Sequence, residues 1–273
     1  MRDQRRMCEA ADNAGASRAE GSGWQIVVAE RPGPAKLGLK REHDIAGEVG
    51  AGTRNATIFI WRSQRALIVA RGQAQWSGFE VAATRLAREG WPVLVRRSGG
   101  GAFPIGPGTV QLAMIARYPD RGMSMAGVYD RLSFLIGSAL AEFGIAARVG
   151  DTRGAFCDGR HDLIVADRKI AGLAQHWRPC GRGERCVTAA ASVLVDADVG
   201  ELAGIVGWFH AICGQAIDIR PEAMTTIRDS FDAVALSHRN PTAEFLPYLA
   251  AAAARMGLSA DSSRPTMPAG DGI

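Results

Sequence analysis

Strand-like and helix-like stretches succeed one another along this chain without the strict alternation of a doubly wound sheet, and that irregularity narrows the fold more than any other feature. Residues 24–29, 57–61, 66–70, 93–95 and 109–116 are apolar runs of strand length. Between them, 37–49 has a helical pattern, and 79–88 puts Phe79, Ala82, Ala83 and Leu86 on one helical face. The clearest helix covers 124–143, with Val128, Leu132, Leu135, Ile136, Ala139 and Phe143 at helical spacing and Gly144 as its stop. Residues 163–165, 169–175 and 190–195 read as a strand meander. A last helix opens on Asn240 as N-cap with Pro241 at its first position and runs to Met256, with Pro247 expected to bend or delay it. The class is mixed α/β.

The ends differ from this interior. Residues 1–23 are small, polar and charged without periodicity, and 259–273 are rich in Ser, Pro, Gly and Asp; both are expected to be disordered around one domain at 24–258. The 273-residue length fits one large domain or two small ones, and such a chain can bury about 70–75% of its unfolded surface. The net charge of +4 is mild and scattered, so nucleic-acid binding is not implied. No apolar run has membrane-spanning length, and no charged-then-apolar leader opens the chain. Five cysteines, Cys8, Cys157, Cys180, Cys186 and Cys213, are odd in number and lack zinc-type spacing. Reduced thiols in a cytoplasmic setting are therefore expected.

Two short segments carry the chemistry. Only three of the 32 Lys+Arg residues are lysines, Lys36, Lys40 and Lys169. Lys169 lies among small residues in Arg168-Lys169-Ile170-Ala171-Gly172, where an amine rather than a guanidinium is wanted. The second segment, Arg96-Arg97-Ser98-Gly99-Gly100-Gly101-Ala102, puts three glycines directly after a buried strand. Without Cβ atoms, backbone amides there can approach a ligand closely, and the two arginines suit a carboxylate or phosphate. The segment lacks the Lys-Ser/Thr ending of a P-loop and the spacing of a dinucleotide fingerprint.

Together with Gly159-Arg160-His161-Asp162-Leu163-Ile164-Val165, these segments resemble the lipoate–protein ligase A family, within the group of biotin and lipoate protein ligases and octanoyltransferases. Trp61-Arg62, the run 66–70 and Arg71-Gly72-Gln73 look like its substrate-pocket strands, and 193–198 like the strand after its mobile adenylate loop. The resemblance covers roughly residues 35 to 215. It implies a mixed β-sheet flanked by helices and ATP-dependent attachment of lipoate or octanoate, through an acyl-adenylate, to a lysine of a carrier domain. The implied partners are the lipoyl domains of 2-oxoacid dehydrogenase subunits or the glycine cleavage carrier protein, with no nucleic acid and no membrane. Lys169 would stabilise charge developing on the acyl carbonyl and α-phosphate. Asp162 would lie near the adenylate and ligate Mg²⁺. Arg96, Ser98, Gly99, Gly100, Gly101, Ala102 and Gly172 would line the substrate and adenylate.

Departures from the family pattern bear on the reaction. Where a His-Asp-x-Gly-Asn stretch usually follows the triple glycine, this chain has Ile105-Gly106-Pro107-Gly108-Thr109, and His-Gly-Thr after the adenylate loop is replaced by Ala190-Ala191-Ser192. Gly-Pro-Gly is similar to the octanoyltransferase branch. Cys157 stands roughly where one transferase branch places its nucleophile, and Cys213-Gly214 faintly resembles the other branch. A thioester route through Cys157 needs no ATP. The ligase reading is the leading expectation. Its alternatives are a cysteine-dependent transferase and a weakly active acyl-adenylate-binding partner subunit.

Overall fold

The computed structural model describes residues 23–120, 123–157, 159–181, 183–230 and 240–256. The expectations for residues 1–22 and for the tail lie outside the described residues. The chain runs β1 (Trp24–Gly33), α1 (Ala35–Ala51), β2 (Ala56–Ser63), β3 (Ala66–Ala70), α2 (Phe79–Arg88), β4 (Val93–Arg96), β5 (Phe103–Ile105) and β6 (Thr109–Pro119). It continues through α3 (Met125–Ala141), β7 (Arg148–Gly150), β8 (Asp162–Val165), β9 (Arg168–Gly181), β10 (Glu184–Leu194), α4 (Val199–Ile212) and α5 (Pro241–Arg255).

Seven strands form one mixed sheet in the order β1-β2-β6-β10-β9-β8-β7, and β4-β3-β5 form a small second sheet. β1 lies parallel to β2, and every other pairing in the large sheet is antiparallel. The mixed sheet flanked by helices is therefore as expected. Side-chain alternation explains why both faces need cover. In β2, Ile58 and Ile60 enter one core with Val128, Leu132 and Ile136 of α3 and Phe245 and Leu249 of α5. Phe59 and Trp61 enter the opposite core with Ile45 and Val49 of α1, Val206 and Phe209 of α4, and the small sheet. Each such large apolar side chain contributes about 1.5–3 kcal/mol on burial.

The helix boundaries follow from caps. Ser124 Oγ accepts from Gly127 N–H at 3.0 Å at the start of α3, and Gly144 takes φ 72° just beyond its end. Asn240 Oδ1 accepts from Ala243 N–H at 3.1 Å at the start of α5. Pro247 does not delay that helix; it sits on the exposed side, as does Ala243, whose carbonyl loses its helical donor.

Two elements differ from the sequence pattern. α4 escaped it because Leu202, Ile205, Val206, Trp208 and Phe209 spread apolar character around the helix and three glycines dilute it. The expected meander is present as β8-β9-β10, but β9 and β10 extend beyond the expected 169–175 and 190–195 as one long hairpin, paired from Ala171↔Val193 out to Gly181↔Glu184. Its outer half carries Arg178, Arg185 and Cys180, which obscure the strand pattern.

Candidate active site

β4 delivers the backbone into the glycine segment, and the segment between β7 and β8 meets it from across the molecule. Arg96, the last residue of β4, directs Nη2 to Gly101 O at 3.0 Å and to Cys157 Sγ at 3.5 Å. Gly101 N–H donates to the same sulfur at 3.1 Å. Cys157 occupies the left-handed region at φ 49°, a conformation that non-glycine residues hold only where surrounding contacts fix it. Gly100 has φ 101°, and a Cβ there would stand 2.5 Å from Arg96 Nη2 and 3.1 Å from Cys157 Sγ. A Cβ on Gly101 would press on Cys157 Cα at 3.3 Å. The triple glycine thus brings a guanidinium and an amide against a half-buried thiol.

Beneath that thiol lies an ion pair. Lys169 Nζ is 2.7 Å from Asp162 Oδ2, and both side chains are fully buried. The ammonium also donates to Phe156 O at 3.1 Å and to Cys157 O at 2.6 Å. Three N–H donors meet three fixed acceptors, so the amine is saturated by protein. Gly159 N–H donates to Asp162 Oδ2 at 2.9 Å. Burial pushes the Asp162 carboxyl above the usual carboxylate range, and the Lys169 ammonium opposes that. Gly172 leaves room for this stack; a Cβ there would meet Phe103 Cε2 at 2.8 Å and Lys169 Cε and Nζ at 3.3 Å.

The donor set does not suit Mg²⁺. A hard cation needs several oxygen ligands, whereas Asp162 Oδ2 is occupied by the ammonium and an amide. Among the described residues no group of three His, Cys, Asp or Glu side chains could hold a metal. The segment that the resemblance assigned to a mobile adenylate loop is the outer half of the β9–β10 hairpin, fixed by main-chain pairing.

The remaining expected site residues divide. Arg96, Gly100, Gly101, Cys157, Asp162, Lys169 and Gly172 converge. Ala102 is buried in the core, and nothing lies within 4 Å of a Cβ built on Gly99. Ser98 turns to a neighbouring cavity of about 340 Å³ between α1, β4 and the β9–β10 hairpin, together with Arg96, Arg97 and Arg178. Glu42 lines that cavity too, its carboxyl pushed up to about 7 by burial. His43 and His176, which also line it, are held below the usual histidine range by burial and then by Arg97. Arg153 and Arg160, near Cys157 in sequence, are not the cations at the sulfur; Arg96 is. Cys213 is buried in the core, with its thiol pushed up by burial.

Sequence reasoning missed Tyr129. Its ring, on α3, stacks on His161 with centroids 4.2 Å apart and planes within 6°. Burial pushes the Tyr129 hydroxyl up; Asp162 and Cys157 add to that shift and Arg96 opposes it. The phenol therefore lies within electrostatic reach of all three. Nothing in the helical pattern of 124–143 separates a site tyrosine from a core-edge one.

Comparison with known proteins bears on all of this. Over 203 residues the chain is 32% identical to the octanoyl-[GcvH]:protein N-octanoyltransferase of Kyrpidia tusciae, an alignment covering 72% of this chain and 69% of that one. Its fold is similar to a lipoate-protein ligase A bound with ATP, at TM-score 0.64 and 17% identity over 84% of this chain and 83% of that one. It is similar as well to the archaeal lipoylation system of Thermoplasma acidophilum, described as a bi-partite lipoate protein ligase and its E2 lipoyl domain. That likeness has TM-score 0.63 and 16% identity over 89% and 87% of the two chains. The lipoyl protein ligase A/B catalytic domain matches residues 35–249, spanning both the glycine segment and the buried ion pair, and the chain belongs to that family.

Proposed function

We propose that this chain is a cysteine-dependent acyltransferase that moves an octanoyl or lipoyl group from the lysine of an acylated carrier protein to a lysine of another lipoyl domain, through a thioester on Cys157. The observation that carries the reading is the thiol itself, presented on a left-handed turn to Gly101 N–H and Arg96. The same donors suit the oxygen or sulfur on which negative charge collects during acyl transfer. The named relative from Kyrpidia tusciae supports a carrier of the glycine cleavage type as donor, and the lipoyl domains of 2-oxoacid dehydrogenase subunits are proposed acceptors. Transfer from one lysine amide to another is nearly balanced in bond energy, so it requires neither ATP nor Mg²⁺. That agrees with an Asp162 carboxylate engaged by Lys169 and Gly159 and with the hairpin in place of a nucleotide loop.

The ATP-dependent ligase reading rests on the Asp162–Lys169 pair and on the shared fold. One experiment separates the two. Apo lipoyl domain is incubated with octanoylated carrier without ATP, or with lipoate, ATP and Mg²⁺, and intact mass is followed on acceptor and enzyme. Acylated acceptor without ATP, together with an acyl thioester on the enzyme, is expected. Acylation only in the ATP arm would overturn the transferase reading.

A further inference from the structure

The turn that presents Cys157 is held from two sides. Downstream, Lys169 donates to Phe156 O and Cys157 O, and Phe156 is buried against Phe103 with ring centroids 5.0 Å apart. Upstream, the chain leaves β7 at Gly150 and passes the exposed Asp151 and Arg153 before reaching the thiol. There Arg220, from the segment after α4, provides the anchor. Its backbone N–H donates to Gly154 O at 2.8 Å, and its Nη2 donates to Arg153 O at 3.0 Å. The guanidinium also lies on Gly154, which adopts φ 87°; a Cβ there would stand 2.5 Å from Arg220 Nε. The same segment reaches the lysine. Pro221–Ala223 form a short 3₁₀ turn, Met224 pairs in parallel with Lys169, and Thr225 N–H donates to Lys169 O at 2.8 Å.

These contacts close a ring from the thiol turn to Lys169, from Lys169 to Thr225, and through the 3₁₀ turn back to Arg220 and the thiol turn. Within five consecutive residues four carbonyls are engaged, those of Arg153 and Gly154 by Arg220 and those of Phe156 and Cys157 by Lys169. Closure of this kind matters at Cys157, whose φ of 49° persists only where the surroundings over-determine it. A surface ion pair explains little of why an arginine stands here. Asp218 lies 3.6 Å from Arg220 Nε, and the two side chains are 82% and 48% exposed. We infer that Arg220 is a positioning residue for Cys157: by fixing Arg153 and Gly154 it sets the sulfur against Gly101 N–H and Arg96, without touching the acyl group. This rests on the Cys157 thioester reading and gives the thiol turn its second anchor. Misplacing a reacting group by about 1 Å costs about 10²-fold in rate.

The test follows acylation of the full chain by octanoylated carrier in a single turnover, with the enzyme thioester read by intact mass across carrier concentrations. Arg220→Ala keeps the backbone bond to Gly154 and loses only the guanidinium, so the fold should survive. Its limiting acylation rate is expected to fall about 10²-fold, with the carrier concentration at half-saturation unchanged. Free guanidinium, too dilute to unfold the protein, is expected to restore part of the loss, because the side chain it replaces is open to solvent. Gly154→Ala keeps the arginine but displaces it, and should show a similar loss that guanidinium leaves in place. A folded Arg220→Ala enzyme with the wild-type limiting rate would overturn the inference. So would a loss confined to half-saturation, which would make Arg220 a contact for the carrier, or a loss that guanidinium does not relieve. A wild-type protein that never forms the thioester would overturn the underlying reaction instead, so the two failures are distinguishable.

Discussion

Lys169 and Cys157 stand 12 residues apart and touch through the lysine amine and the cysteine carbonyl, yet they occupy opposite conditions. The lysine is fully buried, and every donor it has is spent on protein acceptors. The thiol is half-buried, with donors arriving from a different element. On the proposed thioester reading this is a division of labour: the amine fixes the turn that presents the sulfur, and the sulfur meets substrate. Lysine scarcity in the sequence pointed to this residue, while the role implied for it, direct contact with the acyl carbonyl and α-phosphate, would require breaking one of its three bonds.

The strongest test of this division removes the thiol. Cys157→Ser should reduce carrier-to-domain transfer by about 10⁴-fold or more, the scale of losing a covalent nucleophile, with no enzyme thioester by intact mass. Its thermal stability should stay close to wild type. Near-normal turnover would erase the distinction and return the lysine to the centre of the chemistry.

Removing the amine should read out first in stability. Lys169→Met strands a buried carboxylate, and breaking one side of such a pair costs about 3–5 kcal/mol, measurable by urea unfolding. The sign of its pH dependence follows from Asp162. Burial already raises that carboxyl in the folded state, and loss of Lys169 removes the chief opposing influence. A group with a raised folded pKa stabilises the protein below its unfolded value and loses that contribution as pH rises. The deficit of Lys169→Met should therefore shrink as the pH is lowered toward the carboxylate range. A deficit independent of pH would show that the variant fails for reasons other than Asp162.

A smaller effect is expected at the boundary between the two regions. Gly100→Ala puts a Cβ 2.5 Å from Arg96 Nη2 at φ 101°. It should cost about 1 kcal/mol in stability and up to about 10²-fold in transfer, because the guanidinium must leave the sulfur. Transfer at the wild-type rate would mean that Arg96 does not matter at the thiol.

What was legible in the sequence follows the same line. Local signals carried far: the caps at Ser124 and Asn240, the stop at Gly144 and the strands around the glycine segment all stand where the pattern puts them. Lys169, Asp162, Gly172 and the glycines were visible as motifs. Hidden were relations across space. That Arg96 rather than Arg153 or Arg160 reaches Cys157 depends on packing 61 residues apart in sequence. The stack of Tyr129 on His161 joins a helix to a loop, and the saturation of Lys169 depends on carbonyls, which no side-chain pattern reports. α4 stayed hidden because it is apolar around its circumference and rich in glycine.

The anchoring of the thiol turn by a buried ammonium also governs when this protein becomes reactive. The turn at Cys157 is held only once β8 has supplied Asp162 and β9 has supplied Lys169, and β9 is secured in turn by its pairing with β10. A nascent or locally opened chain keeps its cysteine but loses the contacts that set the sulfur against Arg96 and Gly101. On the thioester reading, competence for acyl transfer therefore arrives with the completed sheet.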